Sequence, residues 1–130
     1  MEILENFQDI ILVSFGAILG VNTRFIIYKK LQSINLRQDF IILVINITAC
    51  FFLGVFLSIV SNNINLKYSY ELVLLFSIGF LGSFSTFSSF IYDVFDLFVQ
   101  LRFYRALKLL IISLISGIAS LGLGLLLAKQ

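Results

Sequence analysis

Long apolar runs alternate with short polar interruptions along this chain, and the alternation happens four times. The runs extend from Ile10 to Tyr28, from Phe40 to Val60, from Leu72 to Val99 and from Leu107 to Ala128. Each is long enough to cross a hydrocarbon layer ~30 Å thick, which takes ~20 helical residues. Because lipid offers no partner to a backbone N–H or C=O, runs this long and this apolar must be helical. The interruptions are Lys29 to Asp39 with three basic residues, Ser61 to Glu71 with the run SNNIN, and a tight turn from Gln100 to Arg105. None could house a second domain. The pattern predicts an all-α integral membrane fold, a single four-helix transmembrane domain over residues 1–130. It contains no internal repeat, so a symmetric site would have to come from another subunit.

Composition agrees with this reading. The chain has 130 residues, of which 60% are apolar and 12% charged, and its mean hydropathy is +1.07. A soluble domain of this size could not hide so much apolar surface in one core. Glu2, Glu5 and Asp9 precede the first run where a secretory signal would carry positive charge, so that run is expected to stay in the mature protein. Histidine and proline are absent and Cys50 is the only cysteine. This removes the commonest catalytic base, any intrachain disulfide and any CxxC metal site. Cys50 reads as a small apolar residue within a helix. No nucleophile and base pair is present, which argues against an enzyme. A net charge of +2 spread over nine basic residues is too dilute for a nucleic-acid partner.

The basic residues are unevenly placed. Threading the helices alternately puts Lys29, Lys30, Arg37, Arg102, Arg105 and Lys108 on one side, against Lys67 and Lys129 on the other. The positive-inside rule then predicts cytoplasmic placement for the first group and both termini outside.

Candidate chemistry concentrates in the third run. Gly79, Gly82, Ser83, Ser85, Thr86, Ser88 and Ser89 fall within eleven residues of a segment otherwise rich in Leu, Ile and Phe. Glycine weakens a helix by ~1 kcal/mol relative to alanine, and hydroxyls can satisfy the backbone groups that unwinding frees. Two readings stand side by side: a helix broken at mid-membrane that lines a cavity or binds an ion, and a continuous helix whose small residues admit close neighbours. Phe84, Phe87 and Phe90 recur every three residues, near one face if the segment is helical. A phenylalanine row is usually packing surface, but rings turned edge-on can also solvate an anion weakly, as a permeation path requires.

Other polar residues carry similar alternatives. Asn46, in the middle of the second run, is either an interhelical hydrogen bond or an amide donor to an anion. Thr48 reads as a back-bonding hydroxyl. Arg24 either snorkels to the interface or forms a cationic vestibule. Gly16 and Gly20 form a GxxxG contact signature. In the fourth run Ser113, Ser116, Gly117, Ser120, Gly122 and Gly124 make a small-residue stripe, most simply packing surface. Asp93 and Asp96 read as solvated or capping carboxylates near a membrane boundary.

Over essentially its whole length the chain resembles the CrcB/Fluc fluoride channels. The specific part is G-S-F-S-T-F-S-S-F-I-Y-D from Gly82 to Asp93, similar to a family pattern close to GGxTTFSTFxxE. Supporting matches are G-x3-G-x3-R in the first run, Asn46 followed by Leu53-Gly54 in the second, and Ser113 with Gly117 in the fourth. The resemblance implies an antiparallel dimer in the plasma (inner) membrane, with two fluoride pathways. It also implies a structural Na+ on the dimer axis, not transported, held by backbone carbonyls of Gly82 and Ser85 from each subunit. Phe87 and Phe90 would be the edge-on rings, Asn46 an amide donor, Ser88 and Ser89 part of a hydroxyl track, and Arg24 a vestibule residue. Leu109 stands where the family usually has tyrosine, and Ala49 where it has glycine.

The function expected from this resemblance is passive fluoride export. The charge bias adds that the partner is a homologous subunit of opposite orientation. The alternatives are a non-conducting scaffold subunit of such a channel and a small proton-coupled multidrug exporter. The exporter needs a mid-membrane carboxylate that the first three runs lack.

Overall fold

The computed structural model describes residues 2–62 and 69–129, with side chains from Asn6 onward. Most of the second connection, including Lys67, lies outside the described residues. The first helix spans Glu2–Gln32 and the second Gln38–Asn62. The third span, Ser69–Val99, is divided, and the fourth helix is Phe103–Leu127. All four are long and apolar enough to cross a membrane, and no strand occurs among the described residues. Every helix begins before its apolar run does. Hydropathy marks where lipid contact starts, whereas helical hydrogen bonding continues through polar residues such as Gln38, Asp39 and Arg105.

Packing between helices depends on backbone approach, because lipid tails are as apolar as leucine and give side chains little reason to cluster. The first helix lies along the upstream arm of the third span, residues 69–84, and the second lies along the fourth. At each contact a missing side chain is required. A Cβ on Gly16 would strike the Leu75 carbonyl oxygen, and one on Gly20 the Phe80 carbonyl oxygen and Ser83 Oγ. Gly54 and Gly124 face each other in the second pair, each against a carbonyl of the opposite helix. Ser120 Oγ reinforces that contact by donating to the Ile47 carbonyl at 2.9 Å. The GxxxG signature and part of the fourth-helix stripe are thus contact surfaces, whereas Gly122 has nothing near it.

The upstream arm is not a regular helix. From Val73 to Leu81 it widens to the i→i+5 pattern of a π-helix, an element that normally occurs as a single turn. Residues four apart along the arm lie on one face. Phe76, Phe80 and Phe84 consequently stack, with centroids 5.4 and 6.0 Å apart and interplanar angles of 14° and 5°. The arm then closes with Gly82–Phe84, and the downstream arm runs Phe87–Val99.

Two apolar clusters hold the arms. Phe84 sits with Ile41, Ile45 and Ala49, which recur every four residues along one face of the second helix. Below the break, Val94 and Leu97 meet Ala106, with Phe90 and Leu109 packed against them. Leu109 therefore belongs to a packing cluster between the downstream arm and the fourth helix.

The turn after the downstream arm is shorter than the sequence suggests, because the fourth helix already begins at Phe103. Leu101 N–H donates to the Phe98 carbonyl and Arg102 N–H to the Leu97 carbonyl, both at 2.9 Å. That pair of bonds is a Schellman termination, which places Leu101 at the position usually given to glycine, and its φ is 58°. A left-handed conformation costs a non-glycine residue roughly 1–2 kcal/mol, partly offset by the greater unfolded-chain freedom of glycine. Leu101→Gly is expected to raise stability by on the order of 1 kcal/mol, read as a higher melting temperature in detergent. Gly124→Val is expected to do the opposite, by roughly 1–3 kcal/mol, since its new atoms meet backbone and not a movable side chain; an unchanged melting temperature would contradict the Gly54–Gly124 contact.

Candidate functional site

The third span breaks at two residues. Ser85 (φ −70°, ψ 157°) and Thr86 (φ −141°, ψ 114°) are extended, so the helical ladder is interrupted and their peptide groups need other partners. Thr86 is also the N-cap of the downstream arm. Its Oγ1 accepts the Ser89 N–H at 3.3 Å and donates to Ser89 Oγ at 3.0 Å. Capping by Ser or Thr is worth about 1 kcal/mol.

Asn46 supplies what the ladder lost. Its Oδ1 accepts the Thr86 N–H at 2.9 Å, and its Nδ2 donates to the Thr86 carbonyl at 3.2 Å. One side-chain amide thereby pairs both polar groups of one extended residue, as a neighbouring strand would. From the first helix, Arg24 Nη1 donates to the Ser85 carbonyl at 3.4 Å. Ser83 Oγ reaches back to the Ala17 carbonyl at 3.0 Å, locking the end of the upstream arm to the same helix. Arg24 thus turns toward the break, and snorkelling does not describe it. Thr48 is the back-bonding hydroxyl expected, donating to the Val44 carbonyl at 2.7 Å.

Hollows flank the break. A groove of about 630 Å³ is lined by Asn46, Ser85, Thr86, Phe87 and Phe90, with Ser113 and Gly117 of the fourth helix opposite them. Beyond Thr86, a smaller cleft of about 240 Å³ contains Arg24, Gln38, Thr86 and Ser89. Thr86, only 7% exposed, is the residue shared by the two. Electrostatically the break has two signs: the last carbonyls of the upstream arm end a helix, and the N–H groups of Phe87 and Ser88 begin one.

The family model described as "CrcB-like protein, Camphor Resistance (CrcB)" matches residues 11–125. The chain belongs to the CrcB family. Among curated relatives it is 57% identical over 123 residues to the fluoride-specific ion channel FluC 2 of Prochlorococcus marinus (strain NATL2A), covering 95% of this chain and 99% of the relative. It is 34% identical over 122 residues to the fluoride-specific ion channel FluC of Haemophilus ducreyi (strain 35000HP / ATCC 700724), covering 94% and 93%.

Of the residues that the CrcB resemblance singles out, Asn46, Phe87 and Phe90 line one groove, whereas Arg24 and Ser89 line the other hollow. Ser88 is exposed at the start of the downstream arm, and Gly82 is exposed at the end of the upstream one. Phe84 separates from Phe87 and Phe90. It is 4% exposed in the core while Phe87 is 77% exposed, because the break reorients the chain between them. Cys50 is half-buried and borders the groove. Sequence reasoning missed Thr86 as the central residue. A threonine followed three residues later by a side chain able to bond back is a helix-start signal, and in T-F-S-S it marks the break.

The Asn46 contact decides between two magnitudes. An average interhelical side-chain bond in a membrane is worth ~0.6 kcal/mol, but an orphaned buried backbone group costs roughly 1–3 kcal/mol. The larger figure applies, since the extended backbone at Thr86 prevents that residue from finding a helical partner. Asn46→Leu is expected to lower the stability of the folded chain by at least ~2 kcal/mol, measured by thermal unfolding in detergent. A loss no larger than that of Thr48→Val would show that the clamp is not structural.

Proposed function

We propose that this CrcB-family chain is a subunit of a fluoride channel that lowers cytoplasmic fluoride by passive export, with no chemical step and no energy source. The observation that carries the proposal is the groove at the break. It joins Asn46, Phe87, Phe90 and Ser113 around a helix N-terminus, and the curated relatives named as fluoride channels match the chain almost end to end.

An anion in this groove would meet the rings of Phe87 and Phe90, the hydroxyls of Ser85, Thr86 and Ser113, and the N–H groups of a helix start. Each favours negative charge, and none carries a full positive charge. Such an arrangement solvates fluoride enough to admit it and too weakly to trap it. Asn46 contributes by keeping the break open and has one amide hydrogen beyond its bond to Thr86. No carboxylate lines the groove, which weighs against a proton-coupled exporter.

The same reading includes an antiparallel dimer in the plasma membrane. Ser88 and Gly82 put polar groups on the exposed side of the third span, where lipid could not satisfy them, and a second subunit would cover them. The carbonyls of Gly82 and Ser85 fit half of a sodium site. Ser85 contributes an oxygen outside any helical ladder, whose one side-chain partner, Arg24, stands at a long 3.4 Å. Gly82 is exposed, and its carbonyl accepts a long bond from Ser85 Oγ at 3.4 Å. Hard cations take about six or more oxygens, so the partner would have to supply the rest. Sodium bound there would tie the two breaks together as a structural ion.

Orientation follows from charge. The six basic residues flanking the first and third connections would lie in the cytoplasm and the termini outside. The Arg37–Asp39 ion pair, with an N–O distance of 2.7 Å, does not alter this, because acidic residues count little in the rule. A chain with one orientation needs an oppositely oriented homologue as partner.

Reconstitution into liposomes tests the proposal. Fluoride efflux is expected when the chain is co-reconstituted with a homologue of opposite charge bias, and is expected to be lost in Phe87→Ala. Wild-type efflux with Phe87→Ala unaffected would move the pathway elsewhere. Absence of efflux with any homologue would favour the scaffold reading.

A further inference from the structure

A third cleft, of about 410 Å³, opens where the second helix begins and the downstream arm ends. Its lining includes Arg37, Asp39, Asp93, Asp96 and Arg102, the most polar collection of side chains around any hollow described above. This cleft and the Arg24 cleft have one lining residue in common, Gln38. The Arg24 cleft and the Phe87 groove likewise have one in common, Thr86. Three hollows therefore adjoin in turn, first at Gln38 and then at Thr86.

The two shared residues differ in how firmly they are held. Thr86 is buried and clamped through its backbone. Gln38 is exposed, is the first residue of its helix, and reaches Asp93 through one side-chain bond, Nε2 to Oδ1 at 3.3 Å. The other acids of the cleft already have close partners. Asp39 takes Arg37 in two bonds of 3.2 and 2.7 Å, and Asp96 takes Gln100 at 2.7 Å. Asp93 has only the long bond from Gln38 on one oxygen and no partner on the other, which is buried.

We infer that Gln38 is a movable partition between the surface cleft and the Arg24 cleft, and that Asp93 is its latch. Resting on the channel reading, this makes the amide of Gln38 a positioning residue that controls whether an ion from the surface reaches the break. Swinging Gln38 away breaks one long hydrogen bond and moves no backbone. Arg102 then remains as a cation of the surface cleft outside the Arg37–Asp39 pair, beside the path that leads to Arg24.

Accessibility of the inner cleft tests the inference independently of fluoride transport. In the full chain with Cys50→Ser, a Ser89→Cys reporter faces the Arg24 cleft, and its modification by a water-soluble methanethiosulfonate can be timed in liposomes. Gln38→Met keeps the length of the side chain and removes its hydrogen bonding. It should speed modification about fivefold, the population shift that matches one lost net hydrogen bond. Gln38→Ala should speed it further. Asp93→Ala should act like Gln38→Met, whereas Asp93→Asn, which keeps an acceptor for Gln38, should stay near the parent rate. Unchanged rates in both Gln38 variants would overturn the partition. Equal acceleration in Asp93→Asn and Asp93→Ala would overturn the latch. If labelling shifts as expected in a chain that carries no fluoride, the partition stands and the channel reading fails.

Discussion

Everything near the centre of this protein depends on the demand that no backbone polar group face lipid alone. A continuous helix meets that demand without help. The third span does not, because Ser85 and Thr86 are extended in its middle, and each unpaired group there would cost more than a typical interhelical contact returns. The neighbouring helices are arranged around that debt. The second helix supplies Asn46 to both polar groups of Thr86, and the first supplies Arg24 to the Ser85 carbonyl. Arg24 could not reach if the first helix stood a side chain further from the third span, so the bare contacts at Gly16 and Gly20 belong to the same solution.

Much of this was legible in the sequence. Four apolar runs dictate four helices, and a helix that must cross lipid has few other options. The density of glycine and hydroxyls from Gly79 to Ser89 points to a break, yet the residues alone leave a continuous helix equally open. What settles the matter is a contact between Asn46 and Thr86, forty residues apart. Periodicity carries no information about such a contact. The π-helical stretch was equally hidden, since Val73–Leu81 reads as an ordinary apolar helix until Phe76, Phe80 and Phe84 are seen to stack. Family resemblance located Phe87, Phe90 and Asn46 but could not say that Ser89 and Arg24 occupy a different hollow. The side of the backbone on which a residue falls is set by the extended dihedrals of the break.

Leu109 illustrates how a substitution can mean less than its chemistry suggests. Replacing a tyrosine removes a hydroxyl, and in sequence that looks like damage to a pathway. In the structure Leu109, like Phe90, packs against the Val94, Leu97 and Ala106 cluster and does not line the groove. The hydroxyl facing the groove from the fourth helix is that of Ser113. A tyrosine ring at this point would have an apolar body to bury in any case, and leucine fills part of that volume. Its effect falls first on that cluster, and reaches Phe90 and the groove only through it.

The clamp also limits how tightly the groove could hold an anion. Thr86 N–H, the donor nearest the break, is already given to Asn46, and the Ser89 N–H is given to Thr86 Oγ1. Structural need has therefore taken these backbone donors before any ion arrives. What remains is the spare hydrogen of one amide, the hydroxyl of Ser113, the exposed helix start at Phe87 and Ser88, and two phenylalanine rings. A binding protein built this way would be poor at its task, because affinity grows with well-aligned donors and with full charge. A conduction path has the opposite requirement, since each site must release what it receives. The interactions that keep the third span broken thus also leave its groove weakly attractive, which is the property that the proposed function needs.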